Sequence, residues 1–276
     1  MKYPIIFNFA FFILIFGLSG CSLLEAPEDV SNPMDPNDPD FEPPAVTFIQ
    51  SPEDGQIVDT CFVRFEWEGN QPSMNYSYRI DDKNWSEWST DHLIEYQLLD
   101  EGNHIFEIKS RYYNSVESDY PQTVSFTVDD IQGPALWIYP RLTEVFVGEQ
   151  FSVEIIVKDV TDLAIAKIVI EFDDYYLQAQ SIQIYDDENA FLLSNGGTII
   201  PFSEYDNTNG AIIIDVGVAT GDPASVAGTG AIAKIVFIST HSGNATIQFD
   251  TSTELRSPDN RSIIIQEIAP GYVNTE

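Results

Sequence analysis

The chain has 276 residues, and its 44 Asp and Glu face only 12 Lys and Arg, a formal net charge of −32 with a sequence pI near 4.1. That balance excludes sequence-independent nucleic-acid binding, which needs Lys and Arg on phosphates, and argues against docking on anionic lipid headgroups. With 43% apolar and 13% aromatic residues the chain can bury a core, its length allows two ordinary domains, and two cysteines make no disulfide framework.

Residues 1–20 carry one charge, Lys2, ahead of an apolar stretch from Pro4 to Leu18. The stretch falls short of the roughly 20 residues a membrane-spanning helix needs. A charged start, an apolar middle and small residues at the end read as a signal peptide. Leu18-Ser19-Gly20-Cys21 resembles the lipobox of bacterial lipoproteins. The resemblance implies that Cys21 is lipidated and that acyl chains alone hold the protein to a membrane. Ser22, where retained lipoproteins often carry Asp, favours the outer membrane, so the expected location is the bacterial cell envelope, at the cell surface.

Residues 21–44 read as an acidic, Pro-rich tether, with six of the chain's 16 prolines. Too polar to bury a core and stiffened by proline, it is expected to run extended at about 3.1 Å per residue. Asp35-Pro36-Asn37-Asp38-Pro39-Asp40 lacks the central Gly and final Glu of a calcium loop and reads as spacer.

Residues 45–129 alternate with period two. Val63, Phe65 and Trp67 face one way and Arg64, Glu66 and Glu68 the other; Phe106 and Ile108 alternate with Glu107 and Lys109; Val124, Phe126 and Val128 close the unit. Turn signals between the runs make this an Ig-like sandwich. Cys61, beside the first run, reads as a small buried hydrophobe. Tyr76-Ser77-Tyr78-Arg79-Ile80-Asp81, then Trp85-Ser86-Glu87-Trp88-Ser89, then 99–108 look like bacterial fibronectin type III-like modules of surface proteins and sensors, usually spacers. In that pattern His104 takes the corner position near the start of a late strand, and is expected to be buried and bonded to nearby backbone. The string 85–89 also matches the tryptophan box of cytokine receptors, but here it follows the third strand instead of preceding the last. Trp85, Trp88, Tyr112 and Tyr113 offer an alternative carbohydrate-binding role, since flat aromatic faces suit sugar C–H faces.

After the short joint 130–133, residues 134–276 form a longer β unit, with apolar runs at 135–139, 151–157, 163–172, 177–184, 198–202, 211–218, 231–238 and 245–249, followed by 262–268 and 271–273. No run holds a helical period, so a jelly-roll sandwich is expected. Five pieces resemble the cohesin family in order: Val147-Gly148-Glu149-Gln150-Phe151, Val160-Thr161-Asp162-Leu163-Ala164 leading into Ile168–Asp173, the Gly-rich turn Gly228-Thr229-Gly230 with its strand, Leu255-Arg256-Ser257-Pro258-Asp259-Asn260, and Gly271-Tyr272-Val273. Tyr175-Tyr176 departs from the family, which often has a proline there. The fold class is therefore all-β: an Ig-like, fibronectin type III-like sandwich followed by a cohesin-like jelly-roll sandwich. The resemblance implies adhesion or scaffolding, with a dockerin-like protein or a polysaccharide as partner.

Catalytic motifs are missing. His92, His104 and His241 lie at no metal-ligand spacing, and no nucleophile elbow or P-loop occurs. The expectation is a non-enzyme without cofactors. Calcium is a side possibility if the loops carrying Asp173-Asp174 and Asp186-Asp187-Glu188 meet. For the strand at 163–173, alternation sends Ala164, Ala166, Ile168, Ile170 and Phe172 inward and turns Ile165, Lys167, Val169 and Glu171 outward. With Ile213 and Asp215 outward on a neighbouring strand, these six form the expected partner-binding patch.

Overall fold

The structure is a computed structural model in which residues 31–276 are described. The expected signal peptide and Cys21 lie outside the described residues. By contacts the chain divides into a unit ending at Glu42 and a unit spanning Pro43–Glu276.

The described residues of the first unit are not extended. Asn32, Asp35 and Asp38 each begin a tight turn whose carbonyl accepts from the amide three residues on, at 2.9–3.1 Å, and Glu42 N returns to Pro33 O at 2.9 Å. Each turn has Asn or Asp first and proline second (Pro33, Pro36, Pro39), the placement a type I turn favours. Asp38 Oδ2 accepts from Asn32 N at 2.8 Å and Asp38 Oδ1 from Asp40 N at 2.9 Å; these bonds hold its carboxyl below the usual range. The extended tether is thus corrected over residues 32–42: local carboxylates satisfy the backbone and fold it into successive turns.

Seven strands follow: β1 (Val46–Gln50), β2 (Gln56–Val58), β3 (Val63–Gly69), β4 (Asn75–Ile80), β5 (Leu93–Tyr96), β6 (Gly102–Arg111) and β7 (Gln122–Val128). They make a three-stranded sheet β1-β3-β5 facing a four-stranded sheet β2-β7-β6-β4, the Ig-like arrangement. Alternation works as expected: Val63, Phe65 and Trp67 are buried, as are Phe106 and Ile108 opposite them. The interior is aromatic, with the Phe65 and Phe106 rings stacked at 3.9 Å and Trp67, Tyr78, Tyr96 and Phe126 packed around them. Cys61 is half-buried just before β3, which corrects its expected burial, because the strand starts only at Val63.

His104 on β6 is buried, with Nδ1 2.9 Å from Asp81 Oδ2 and Nε2 2.8 Å from the Asp100 carbonyl. Both partners are acceptors, so both ring nitrogens must donate, which only the imidazolium does. Burial pulls the ring's pKa down, but the bonds to Asp81 and Asp100 outweigh it and raise it.

Thirteen strands build the second sandwich: β8 (Ala135–Tyr139), β9 (Leu142–Val145), β10 (Gln150–Leu163), β11 (Ile165–Phe172), β12 (Leu177–Ile184), β13 (Thr198–Asp206), β14 (Ala211–Thr220), β15 (Val226–Ser239), β16 (Gly243–Phe249), β17 (Glu254–Arg256), β18 (Ser262–Ile263), β19 (Glu267–Ala269) and β20 (Gly271–Thr275). One sheet runs β12-β15-β10-β8-β19; the other runs β13-β14-β11-β16-β20-β9, with β17 also beside β11 and β18 beside β17. Between them lies an aliphatic core that includes Ile155, Ile168, Ile170, Ile212, Ile214, Ile235 and Phe237. Gly210 turns β13 into β14 at φ +61°, where a Cβ would sit 2.1 Å from the Phe172 carbonyl oxygen. Among the described residues there is no α-helix.

The sheets of the two sandwiches share no strand, yet the joint between them is fixed. Ile131 is fully buried with Ala135, Trp137 and Ala269. Glu101 Oε1 accepts from the Asp130 and Ile131 amides at 2.9 and 3.0 Å. Arg141 Nη1 reaches both Asp130 oxygens at 2.9 Å, and its amide donates to Asp100 Oδ1 at 2.7 Å. Lys158 on β10 bridges Glu101 and Asp129. Burial pushes the Glu101 carboxyl up; Asp130, against its own burial, is lowered by its bonds to Glu101 and Arg141.

Arg141 and Asp130 keep only 9% and 12% of their side-chain exposure. Arg141→Met strands the Asp130 charge and should cost about 3 kcal/mol or more in denaturant unfolding, while Arg141→Met with Asp130→Leu should recover most of it. A loss under about 1 kcal/mol in the single variant would show that the pair does not hold the joint.

A second prediction concerns pH. The folded pKa of His104 is raised, so its stabilisation is complete below the unfolded value of about 6.5 and fades as pH climbs through the folded value. His104→Ala should cost about 1–3 kcal/mol near pH 6 and clearly less near pH 9. Thermal melts at both pH values check this, and an equal loss at both would refute the charged ring.

Candidate functional site

The site of interest is the outward face of the sheet containing β11. Its inward face is filled by Ala164, Ala166, Ile168, Ile170 and Phe172 from and beside β11, and Ile212, Ile214 and Val216 from β14, all buried. Directly paired residues of antiparallel strands share a face, so the register fixes what looks outward. Across the sheet, Ile200 of β13, Gly217 of β14, Ile165 of β11 and Arg256 of β17 form one row. The next row is Phe202, Asp215, Lys167 and Glu254, and the third is Glu204, Ile213 and Val169. Glu171 follows, opposite Gln248 of β16, whose Nε2 donates to it at 3.1 Å.

The six residues expected on the patch (Ile165, Lys167, Val169, Glu171, Ile213 and Asp215) therefore stand together on one face. Glu171 and Asp215 are exposed and the other four half-buried. Beside Val169 the turn after β16 completes the ladder: Thr253 Oγ1 donates to Val169 O and accepts from Val169 N, both at 3.0 Å. The expected patch left out the edge strand, whose apolar run at 198–202 lies beside β14. On β13, Ile200 and Phe202 are 70% and 53% exposed and carry the apolar surface past β14. Pro201 signalled this, because within a sheet proline keeps to edge strands. Four carboxylates (Glu171, Glu204, Asp215, Glu254) and two cations (Lys167, Arg256) stand among five apolar side chains (Ile165, Val169, Ile200, Phe202, Ile213). Glu254 is held below its ordinary carboxyl range by its bond to Arg256 and the nearby Lys167 charge.

On the inward side of β13, Tyr205 Oη donates to Gln180 O of β12 at 3.2 Å and helps close the sandwich. Pro201, Phe202 and Ser203 border a hollow of about 410 Å³ with Ile182, Ile184 and Asp186.

The aromatic platform of the first sandwich is corrected. Tyr112 is 1% exposed, with its hydroxyl 3.1 Å from Asn70 Nδ2, because it continues the inward series Phe106, Ile108 and Ser110 of β6; it is not part of any surface. Tyr113 is exposed, while Trp85 and Trp88 are half-buried. Cations occupy the indole faces: Lys109 Nζ lies 3.9 Å and Arg79 Cζ 4.7 Å from the Trp85 ring centre, and Arg111 Cζ 4.3 Å from that of Trp88.

The loops offered for calcium do not meet. Asp173-Asp174 precede β12 and Asp186-Asp187-Glu188 follow it, so its eight residues hold them about 25 Å apart. Asp173 and Asp174 border a different hollow, with Asn209, Asn244 and Gln248. Among the described residues no group of three or more His, Cys, Asp or Glu is gathered for a metal. His92 lies against the Trp67 carbonyl at 3.3 Å, and His241 against the Tyr175 carbonyl at 2.7 Å and the Thr240 hydroxyl at 3.2 Å.

No family model matches the chain, and no curated protein matches it. Among solved structures, the chain is similar to the second type II cohesin module of the adaptor scaffoldin ScaA of Acetivibrio cellulolyticus, at 18% identity and a TM-score of 0.44, covering 53% of this chain and 92% of that one. It is similar to the sixth cohesin of scaffoldin B from the same organism, solved in complex with a Cel5 dockerin mutant, at 14% identity and a TM-score of 0.42 over 52% of this chain and all of that one. A third is a non-cellulosomal cohesin from the archaeon Archaeoglobus fulgidus, at 12% identity and a TM-score of 0.39, covering 51% of this chain and 90% of that one.

Proposed function

We propose that this chain is a non-catalytic, lipid-anchored protein of the bacterial cell envelope, in which residues 45–129 act as a spacer domain and residues 134–276 as a cohesin-like binding domain. The partner is a protein of dockerin-like kind, held on the outward face of β13, β14 and β11. The observation that carries the reading is the group of apolar side chains on that face. Ile200, Phe202, Ile213, Val169 and Ile165 look away from a core already filled by Ile212, Ile214, Ile168 and Ile170. A sheet face with no interior left to build is free to use apolar side chains for association. Acids outnumber cations on it, so the partner's matching surface is basic. The anchor rests on the tetrapeptide ending at Cys21, and in this reading the face is presented at the cell surface.

The test is binding of purified dockerin modules, set beside insoluble polysaccharide. Ile200→Asp with Phe202→Asp changes exposed positions only and should leave the melting temperature in place while weakening dockerin binding by about a hundredfold or more. Val169→Asp with Ile213→Asp should do the same if it folds. Undiminished binding by the β13 variant, or retention on polysaccharide with no dockerin bound, would overturn the reading. For the anchor, Cys21→Ser should move the protein from membrane to soluble fractions, and a variant that still sediments with membranes would remove lipidation from the account.

A further inference from the structure

The outward face of the first sandwich holds a feature that the partner face does not explain. Residues 85–89 run along the free edge of β4: Tyr76 N donates to Ser89 O at 2.8 Å, Ser89 N to Tyr76 O at 3.0 Å and Ser86 N to Tyr78 O at 2.9 Å. Ser77 Oγ donates to Ser86 O at 2.8 Å and Ser86 Oγ accepts from Tyr78 N at 3.0 Å. This lacing is built on serines in the sequence Trp85-Ser86-Glu87-Trp88-Ser89, and it leaves both indoles against the cations of β4 and β6. Arg79 is paired with Glu107. Lys109 and Arg111 have no carboxylate within salt-bridge distance among the described residues, in a chain with 44 acids.

These groups lie on a strip. Side chains of β6 alternate, so Asn103, Ile105, Glu107, Lys109 and Arg111 follow one another along the outward face over about 27 Å. At one end Ile105 is exposed beside a hollow of about 570 Å³ that Arg79, Asp81, Asp82 and Thr123 also border. At the other stand Trp88 and Arg111.

We propose that this strip binds a linear polysaccharide bearing carboxylate or sulfate groups. A strip one side chain wide suits a polymer lying along it. Lys109 and Arg111, both outward and two residues apart, sit about 7 Å from one another along the strand and meet two successive anionic groups. Stacking on indole holds each cation in place before a ligand arrives, which lowers the ordering cost of binding. The indole edges and N–H groups contact sugar C–H and hydroxyl groups, chemistry an acidic peptide has less use for. Two cations match two charges of such a chain and fall far short of the six to ten phosphate contacts of a duplex-binding protein; of the acids beside them, Glu107 on the same strip is paired with Arg79. The proposal is independent of the partner face on the other sandwich.

The experiment measures binding of the full chain to polygalacturonate, dextran sulfate, neutral dextran and poly-glutamate at physiological ionic strength. Polygalacturonate or dextran sulfate, whichever carries the matching group, should bind, more weakly as salt is raised; dextran and poly-glutamate should not. Lys109→Gln with Arg111→Gln should cut affinity by about tenfold or more with the melting temperature kept, and Ile200→Asp with Phe202→Asp should leave it unchanged. Equal binding of dextran, equal binding of poly-glutamate, no binding of either anionic polysaccharide, or full binding by the Lys109/Arg111 variant would each overturn the proposal. If that variant loses stability, Lys109→Arg with Arg111→Lys keeps both charges and must restore both melting and binding; binding that stays lost would also overturn it.

Discussion

The scarcity of positive charge governs this molecule. With 12 Lys and Arg against 44 acids, a buried carboxylate has few candidates for a partner, and burying it alone is costly. The joint between the sandwiches takes two of those cations, Arg141 and Lys158, and uses them on Asp130, Glu101 and Asp129 at the point where the chain passes from one β unit to the next. His104 adds a third positive group close by, between Asp81 and the Asp100 carbonyl, while Asp100 itself accepts from the Arg141 amide. Removing one member leaves its neighbours charged and unpaired, so the joint is held as a network and Ile131 is sealed beneath it.

A fixed joint gives the outward face of β13, β14 and β11 a defined setting. That face differs from an ordinary solvated one in placing apolar side chains among its acids, and its exposed edge strand is guarded by Pro201 and by Glu204 and Asp206, which hinder indiscriminate strand addition. The first sandwich solves its charge shortage differently: Lys109 and Arg111 are given aromatic rings instead of carboxylates, which leaves their outer sides open to anions from outside.

Much of this was legible in period-two patterning. The runs at 135–139 and 177–184 coincide with β8 and β12, and alternation alone turned Ile168, Ile170, Ile212 and Ile214 inward. Pairing between distant strands was not legible. Nothing local in Thr198–Asp206 says that it lies beside β14, so Ile200 and Phe202 escaped notice, and the short polar strands β9 and β17 carry no alternation to read. Tyr112 was legible too: it keeps the inward phase of Phe106, Ile108 and Ser110, and its pairing with Tyr113 as an aromatic surface hid that. The turns at 32–42 were legible in principle: Asn-Pro, Asp-Pro and Asp-Pro at three-residue intervals is turn chemistry, and a rule of composition hid it. The Asp-rich loops failed as a metal site for a simple reason of length, since a whole strand separates them.

The account turns on which face meets the partner, and an acid-rich chain suits carboxyl footprinting. The full chain would be labelled at its carboxylates with and without a bound dockerin module and read by mass spectrometry. The account predicts that Glu204, Asp215 and Glu254 lose label on binding while Asp119, Glu149 and Asp187 keep theirs. Unchanged labelling of Glu204, Asp215 and Glu254, with protection appearing elsewhere, would contradict it.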